Sequence, residues 1–354
     1  MKKCLKKIIV VLCVMAMATQ LMACSGKQPT SPANDSDGQD NQPTTSAPET
    51  SNQEDYEVAV IVKGMNSEYW QTVISGSKKA ASELGNVHLT SYGPPAEANM
   101  DEQISILDDV ISKKPDAIII ASTSQEATVP SLEKAYDSGI KVILIDGSVK
   151  SEKYDTFLAT DNEKGGALAA QTMVDKLTEE GKELKGKIGI LSAMAGVQSL
   201  TARNDGFKKK LAELAPDIEI ADTKYSNGDV LKAVAAAEDM LTANADLIGF
   251  YADNNECGSA AAKVITERGL EDGIVNIAFD ADDNEINGLE TGAVDGIILQ
   301  DPFGMGYKAV QSAIDIINGK TLEKYIDTGV QVATKDNMED EDIYNLLYPP
   351  VVVD

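Results

Sequence analysis

Histidine and cysteine are rare in this sequence, with one histidine and four cysteines in 354 residues. A solitary His88 cannot form a cluster of imidazole metal ligands, so we expect neither a metal nor any other cofactor. Cys4, Cys13 and Cys24 lie near the N-terminus, which leaves Cys257 as the only cysteine of the expected folded body. An internal disulfide in that body is therefore excluded. Because Cys257 lies among small residues, we predict that it is a buried packing residue.

Positive charge is also scarce. The chain has 31 lysine and arginine residues against 57 aspartate and glutamate residues, which gives a formal net charge of −26. A surface of that sign repels phosphate groups, so nucleic acid is excluded as a partner. The same charge keeps a soluble protein from aggregating, and this is the role that we expect for it.

The only hydrophobic run that suggests a targeting segment lies near the N-terminus. A basic start is followed by an apolar run from Ile8 to about Ala18, which is too short for a permanent span and is typical of a secretory signal. Leu21-Met22-Ala23-Cys24 then resembles the lipobox of bacterial lipoproteins. The resemblance implies a lipoprotein signal peptide over residues 1–23 and a lipidated Cys24, with palmitate anchoring the chain to the cell membrane. Cleavage without lipidation is the alternative.

The segment that follows the signal lacks the residues of a hydrophobic core. Residues 25–55 contain no valine, isoleucine, leucine, methionine or aromatic residue, and prolines are scattered among small polar residues. Such a composition cannot build a core. We therefore predict that 24–56 is the lipidated cysteine and a disordered stalk that holds the folded body away from a membrane.

From Glu57 onward, short apolar runs alternate with helical patterns, which is typical of βαβ units and a mainly parallel sheet. The alternation restarts after Asp161, so two similar α/β halves are predicted. The acidic stretch Glu339–Asp342 is predicted to be a solvated face. The first predicted helix carries Trp70 and Leu84 on its apolar face and ends at Gly85. The later predicted helices are Met100–Ser112, Val129–Ser138, Lys164–Leu177, Thr201–Leu214, Val230–Ala243, Glu256–Arg268 and Met305–Ile317.

Four of the hydrophobic strands end in a polar side chain. These side chains are Asp146, Asn254, Asp280 and Gln300. In open α/β sheets, small molecules bind beyond the carboxyl ends of the strands. Carboxylates and amides at that edge predict a ligand with many hydroxyl groups.

Several motifs resemble those of the type I periplasmic sugar-binding proteins, particularly the ribose-binding branch that serves ABC transporters. The likeness covers about Val58 to Thr334. One such motif alone would be weak evidence for the family, but the occurrence of all of them in the same order is specific. The motifs are Asn66-Ser67-Glu68-Tyr69-Trp70, Asp146 after its isoleucine, Ala159-Thr160-Asp161-Asn162, Arg203-Asn204-Asp205-Gly206-Phe207, Ala252-Asp253-Asn254-Asn255-Glu256, Ala278-Phe279-Asp280 and Leu299-Gln300-Asp301-Pro302.

The resemblance implies two Rossmann-like lobes with parallel sheets, joined by a three-crossing hinge, as in periplasmic binding protein type I. Lobe one would comprise 57–158 plus 301–327, and lobe two would comprise 159–300 plus 328–354, which includes the tail. The crossings would lie near Phe157–Asn162, Gln300–Pro302 and Asp327–Gly329. Closure of the lobes about them would bury the ligand.

The resemblance and the strand ends together predict eight ligand-binding residues. Carboxylates accept hydrogen bonds from hydroxyls, an arginine donates a fork of them, amides do both, and aromatic rings pack on the C–H face of a sugar. The alternatives are turn capping for the aspartates, helix capping for the serine and asparagine, a surface ion pair for the arginine and core packing for the tryptophan. The eight residues are Ser67, Tyr69, Trp70, Asp146, Arg203, Asn254, Asp280 and Gln300.

The sequence departs from the ribose-binding branch at one position. That branch has an arginine after the strand-end aspartate, and this chain has Gly147. The site thus loses a donor and gains room, so a different pentose, a hexose or another polyhydroxylated molecule fits as well as ribose. The loop Tyr225–Asp229 lies near a further aromatic contact of that branch, without a register that assigns one.

The resulting functional hypothesis is a monomeric, lipid-anchored extracytoplasmic receptor that captures a sugar-like ligand and delivers it to an ABC permease. A receptor that instead contacts a sensor kinase or chemoreceptor is the alternative. An enzyme is not expected, since no nucleophile elbow or metal cluster is present. The acidic run Asp280–Asn284 resembles the start of a calcium loop, but Glu285 stands where that loop needs glycine.

Overall fold

The computed structural model describes residues 54–352. The predicted signal peptide, the predicted lipidation of Cys24 and nearly all of the predicted stalk lie outside the described residues. No helix in the described range is long and apolar enough to cross a membrane.

The strands form two six-stranded sheets, one for each lobe. The first sheet has the order β11-β5-β4-β3-β1-β2, and the second has the order β12-β10-β9-β8-β6-β7. Neighbouring strands are parallel except that β12 runs antiparallel to β10. The predicted α/β class with two parallel-sheet lobes is confirmed. The strands are β1 (Tyr56–Ile61), β2 (Val87–Tyr92), β3 (Ala117–Ile120), β4 (Lys141–Ile145), β5 (Thr156–Ala159), β6 (Gly186–Ser192), β7 (Ile218–Tyr225), β8 (Leu247–Ala252), β9 (Val275–Phe279), β10 (Gly296–Leu299), β11 (Tyr325–Asp327) and β12 (Gln331–Ala333).

Helices cover both faces of each sheet, so the central strands are apolar on both sides. In β1, Val58 and Val60 pack in one core cluster with the first helix and the ninth, whereas Ala59 and Ile61 pack in a second cluster on the other face. The helices are α1 (Glu68–Leu84), α2 (Met100–Lys113), α3 (Val129–Asp137), α4 (Asn162–Glu179), α5 (Gln198–Leu214), α6 (Val230–Ala243), α7 (Asn255–Arg268), α8 (Asp283–Thr291), α9 (Pro302–Ile317) and α10 (Glu341–Leu347).

Glycines let one pair of helices in each lobe approach closely. A Cβ added at Gly76 of α1 would lie 1.9 Å from the carbonyl oxygen of Phe303 in α9. In lobe two, a Cβ at Gly166 of α4 would lie 1.9 Å from the carbonyl oxygen of Arg203 in α5. Both distances are far below van der Waals contact, so only glycine permits this packing.

The chain passes between the two sheets three times. It leaves lobe one after β5, returns after β10, and crosses again between β11 and β12. The Thr160 hydroxyl donates to the carbonyl oxygen of Gly329 at 3.0 Å, which holds the first and third crossings together.

Some elements were not predicted from the sequence. The strands β5 and β11 have four and three residues, so they carry little periodic signal. The helix α8 is polar except at Ile286 and Leu289, which face the core of lobe two. The acidic stretch Glu339–Asp342 is exposed as predicted, but the helix α10 that begins at Glu341 and buries Ile343 and Leu347 was not predicted.

Helix starts were predicted too late where the first turn is not periodic. The helix α5 begins three residues before Thr201, and α9 begins at Pro302 rather than Met305. In α9 the Asp301 carboxylate caps the helix by accepting from the Gly304 amide at 2.6 Å, and proline is well suited to the first position.

Candidate functional site

The structure brings all eight predicted site residues together around one cavity between the lobes. Lobe one contributes residues of α1 and residues that follow β1 and β4, and lobe two contributes residues of α5 and α7 and residues that follow β9 and β10. Four polar residues that were not predicted also line the cavity. The predicted eight are Ser67, Tyr69, Trp70, Asp146, Arg203, Asn254, Asp280 and Gln300, and the unpredicted four are Lys63, Glu97, Ser199 and Asn255.

Asp146 and Asp280 occupy equivalent positions in the two lobes. Each follows the last residue of a central strand, and each is buried, at 3% and 7% exposure. Their φ angles are 62° and 70°, in the left-handed region that residues other than glycine rarely adopt. Strained backbone of this kind concentrates at functional sites, where it aims a side chain that a relaxed turn would place elsewhere. Both carboxylates are thereby directed into the cavity.

Arg203 is buried at the floor of the cavity rather than exposed in a surface ion pair, so that alternative is wrong. It is 2% exposed. Its Nη1 lies 3.3 Å from the Asp280 carboxylate and also donates to the Asp253 carbonyl oxygen at 2.7 Å. Its Nε donates to the Asn162 side chain at 2.8 Å, and the guanidinium lies 3.8 Å from the centre of the Phe279 ring. These contacts fix the orientation of the Arg203 guanidinium.

Two buried polar atoms on the cavity wall have no hydrogen-bond partner among the described residues. They are the Tyr69 hydroxyl and the Gln300 Oε1 atom, whereas the Gln300 amide nitrogen donates to Asp280 at 2.8 Å. Unpaired polar groups are costly inside a protein, since they have given up water without a replacement. A ligand with hydroxyl groups would satisfy both atoms.

The aromatic pair of α1 joins the core of lobe one to the cavity. Trp70 is 2% exposed and packs in the core as the alternative predicted, while it also lines the cavity. The rings of Tyr69 and Trp70 meet edge to face at 4.8 Å, and the indole nitrogen donates to Glu97 at 2.6 Å. The pair is therefore rigid and presents apolar surface to the cavity.

Asn254 and Ser67 differ in how they use their side chains. The Asn254 side-chain oxygen caps α7 by accepting from the Cys257 amide at 3.1 Å. Asn254 therefore has the capping role that was the alternative, and it also lines the cavity. Its amide nitrogen donates to Glu256 at 2.7 Å. Burial and then the nearby Glu97 raise the pKa of Glu256 to about 7. Ser67 makes no capping hydrogen bond through its side chain, and it lines the cavity.

Lys63 is the most informative residue that was not predicted. It follows β1, is 2% exposed, and places its ammonium 2.5 Å from the Asp146 carboxylate and 5.5 Å from the centre of the Trp70 ring. A Cβ added at Gly147 would lie 3.8 Å from the same ammonium. Lys63 therefore supplies a positive charge beside the position at which the ribose-binding branch carries its arginine. The strand-end rule that gave Asp146 would also have found Lys63.

Two of the three carboxylates that line the cavity are each paired with a cation. Lys63 is paired with Asp146, and Arg203 with Asp280. Glu97 is the further carboxylate of the lining and accepts from Trp70. Among the residues that line the cavity, no cation is left over for an anionic ligand, so the site suits a neutral one.

The Tyr69 hydroxyl is a hydrogen-bond donor on the cavity wall. Burial, and next the Asp146 carboxylate, raise the pKa of Tyr69 well above its usual value, so the hydroxyl stays protonated near neutral pH. Burial also raises the pKa of Asp280, while Arg203 opposes that shift. The wall thus combines a donor at Tyr69 with acceptors at the aspartates.

The lobes are close together in this structure. The Ser199 hydroxyl of α5 lies 3.5 Å from Asp146 across the cleft, and the cavity holds about 30 Å³. That volume suits a few water molecules rather than a monosaccharide.

The two remaining sequence features do not contribute to the cavity. None of the residues of the loop Tyr225–Asp229 is in its lining; Tyr225 is 46% exposed, and Ser226 packs against Cys257. In the acidic run after Asp280, Asp282 caps α8 and accepts from the Ser259 hydroxyl. Within residues 54–352 no cluster of three or more potential protein ligands for a metal ion is present. Cys257 is buried as predicted.

Comparison with known proteins identifies a family and several relatives. A family model described as the periplasmic binding protein domain matches residues 58–321. The ribose import binding protein of Bacillus subtilis is 25% identical over 284 residues, which cover 80% of this chain and 89% of that protein. The predicted resemblance is confirmed, and the named relative is a binding protein rather than an enzyme.

Solved structures give the same result for the fold. A carbohydrate transporter solute binding protein from Agrobacterium radiobacter, in complex with D-arabinose, is 33% identical with a TM-score of 0.80, covering 83% of this chain and 99% of that one. An ABC transporter solute binding protein from Agrobacterium vitis, with bound D-fucose, is 32% identical with a TM-score of 0.78, covering 82% and 100%.

Proposed function

Since the chain belongs to the periplasmic binding protein domain family, we propose that it captures a neutral monosaccharide between its lobes by hinge closure. It is a binding protein and not an enzyme. The observation that carries the proposal is the cavity wall, where two internally paired aspartates lie beside the unpartnered Tyr69 hydroxyl and Gln300 oxygen. These groups match the alternating donors and acceptors of a sugar.

Each part of a monosaccharide has a counterpart in the wall. Asp146 and Asp280 accept from hydroxyls, Arg203 and Lys63 donate to them, and Gln300 and Asn254 do both. The edge-to-face rings of Tyr69 and Trp70 offer an apolar surface to the C–H groups, a contact that contributes about 1 kcal/mol. The relatives solved with D-arabinose and D-fucose support a pentose or a deoxyhexose as the ligand size.

The output of binding is proposed to be transport. The relatives named as transporter solute binding proteins support delivery of the sugar to an ABC permease over contact with a sensor kinase or chemoreceptor. The receptor would act as a monomer outside the cytoplasm. Co-purification with a permease, and not with a sensor ectodomain, is the expected result of a pull-down with the sugar-loaded protein.

The membrane anchor is proposed to be a lipid on Cys24. Labelled palmitate supplied to a bacterial host should appear on the wild-type protein, and Cys24→Ala should lose the label completely because the acceptor thiol is gone. A matched Cys257→Ala variant should keep it, since that thiol is buried. Label that persists without Cys24 would rule out this anchor.

A thermal-shift panel of D-arabinose, D-fucose, D-ribose, D-glucose, D-galacturonate and a nucleoside tests the ligand class. At least one neutral sugar should raise the melting temperature by several degrees, because a ligand at 100 times its Kd stabilises the folded state by about 2.7 kcal/mol. Lys63→Met should weaken that sugar about tenfold or more, since it removes a buried donor and leaves Asp146 unpaired.

The control for that variant is Lys113→Met on α2, whose ammonium contacts the Tyr92 ring away from the cavity. It should bind like wild type. Tighter binding of the acidic sugar than of any neutral one would contradict the absence of a spare cation in the cavity lining. No binding of any neutral sugar would refute the proposal as a whole.

A further inference from the structure

The last described residues connect the two lobes a fourth time. Helix α10 belongs to lobe two, because Ile343 and Leu347 pack in the same core cluster as Ile286 and Leu289 of α8. Residues 348–352, which we call the strap, leave this helix and reach α1 of lobe one. The strap was not expected from the sequence, which placed the whole tail with lobe two.

A single buried hydroxyl holds the strap on lobe one. Ser75, in the middle of α1, is 6% exposed. Its hydroxyl donates to the Pro350 carbonyl oxygen at 3.0 Å and accepts from the Val352 amide at 2.7 Å. These two bonds join main-chain atoms of the strap to one side chain, so they can break and re-form without disturbing either core. The three hinge crossings, by contrast, are continuous chain.

The strap encloses one side of the cleft next to the sugar site. Together with α1 and the start of α8 it borders a cavity of about 420 Å³. Tyr69, Asp280 and Gln300 belong to the wall of this cavity and also to the wall of the sugar site. Movement of the strap away from α1 therefore opens the cleft close to the ligand-binding side chains.

Electrostatics at this side of the cleft oppose closure. Glu68 at the start of α1 lies opposite Asp282 and Asp283 of lobe two on the wall of the same cavity. Burial, followed by these two carboxylates, raises the pKa of Glu68. The strap contains only tyrosine, proline and valine, so it adds no charge to this surface. Its hydrogen bonds are neutral contacts that offset the repulsion.

We propose that the strap is a latch that holds the lobes closed and slows the release of the ligand. Opening of the cleft must break both bonds to Ser75, whereas a ligand that enters the open form meets no strap. The strap bonds to α1, and none of its residues lines the sugar site, so its loss should weaken every ligand by the same factor. Two hydrogen bonds of ordinary net strength correspond to roughly a tenfold change in the equilibrium between closed and open lobes.

Stopped-flow fluorescence of the single tryptophan, Trp70, tests the latch with D-arabinose, D-fucose and each other panel sugar that binds the wild type. Two variants are compared with it: Ser75→Ala, and a truncation that ends at Leu347. Both should raise the dissociation rate about tenfold for every sugar, with little change in the association rate. The matched control Ser105→Ala, whose hydroxyl bonds within α2, should behave like the wild type.

The outcomes separate this inference from the function on which it rests. A wild type that binds no sugar removes the proposed function and the latch with it. A wild type that binds, together with a truncated protein that releases the sugar at the same rate, overturns the latch alone. If the dissociation rate rises by a different factor for different sugars, the strap contacts the ligand, which also contradicts the proposal. Because the truncation leaves α1 intact, it tests whether the strap slows release of the sugar even if Ser75→Ala unfolds lobe one.

Discussion

Replacing Arg203 by methionine is expected to abolish sugar binding and to destabilise the fold at the same time. The guanidinium is the partner of the buried Asp280 and also bonds Asn162 and the Asp253 carbonyl oxygen. Without it, Asp280 keeps a buried charge with Gln300 as its hydrogen-bond partner. Removing one member of a buried ion pair costs about 3–5 kcal/mol. Loss of two charge-assisted donors to the ligand weakens binding about 100-fold or more.

A double variant separates the two effects. Arg203→Met with Asp280→Asn removes the uncompensated charge, while the new amide oxygen still accepts from Gln300. Urea unfolding should show that the double variant regains much of the stability that Arg203→Met loses, whereas calorimetric titration should find no binding in either. Lys209→Met, on the same helix but in an exposed ion pair with Glu163, should change neither property. Binding that survives in the double variant would exclude Arg203 and Asp280 from the site.

Gly166→Val should destabilise lobe two strongly. The added Cβ would lie 1.9 Å from the Arg203 carbonyl oxygen and 2.9 Å from the Phe207 nitrogen, and backbone atoms cannot swing aside as a side chain can. Helices α4 and α5 would have to separate, and such overpacking costs about 3 kcal/mol or more. The separation also displaces the backbone that carries Arg203. We therefore expect lower stability in urea and weaker sugar binding in the fraction that remains folded.

Gly273→Ala is the matched control for this variant. Its Cβ would have the Leu270 carbonyl oxygen as nearest neighbour, at 3.5 Å, which is ordinary contact. Its stability should stay within about 0.5 kcal/mol of the wild type. If Gly166→Val unfolds at the wild-type urea concentration, the close packing of α4 on α5 is not required for the fold.

The residues that sequence reasoning found are those with a local signal. Asp146, Asn254, Asp280 and Gln300 each follow an apolar strand closely, and parallel strands bring such positions to one edge. Lys63 has the same signal after β1 and was overlooked. Glu97 has none, because it lies in a loop and reaches the cavity through its bond to Trp70. Ser199 is an ordinary polar position in the first turn of α5.

The elements that were overlooked are short or polar. A strand of three or four residues spans at most two periods of alternation, so β5 and β11 are defined by their partners in the sheet. The helices α8 and α10 have nine and seven residues, and their apolar positions become meaningful only against the core of lobe two.

The sequence by itself determined the α/β class, the two halves and the chemistry of the strand ends, because these depend on apolar periodicity and on residues adjacent in the chain. Only the tertiary structure decided how Lys63 stands beside Gly147, which cation neutralises which aspartate, and that the strap reaches Ser75. Such contacts join residues that are distant in sequence, at separations of 83, 77 and 275 positions. Their distances are set by the packing of whole lobes, which no local pattern encodes.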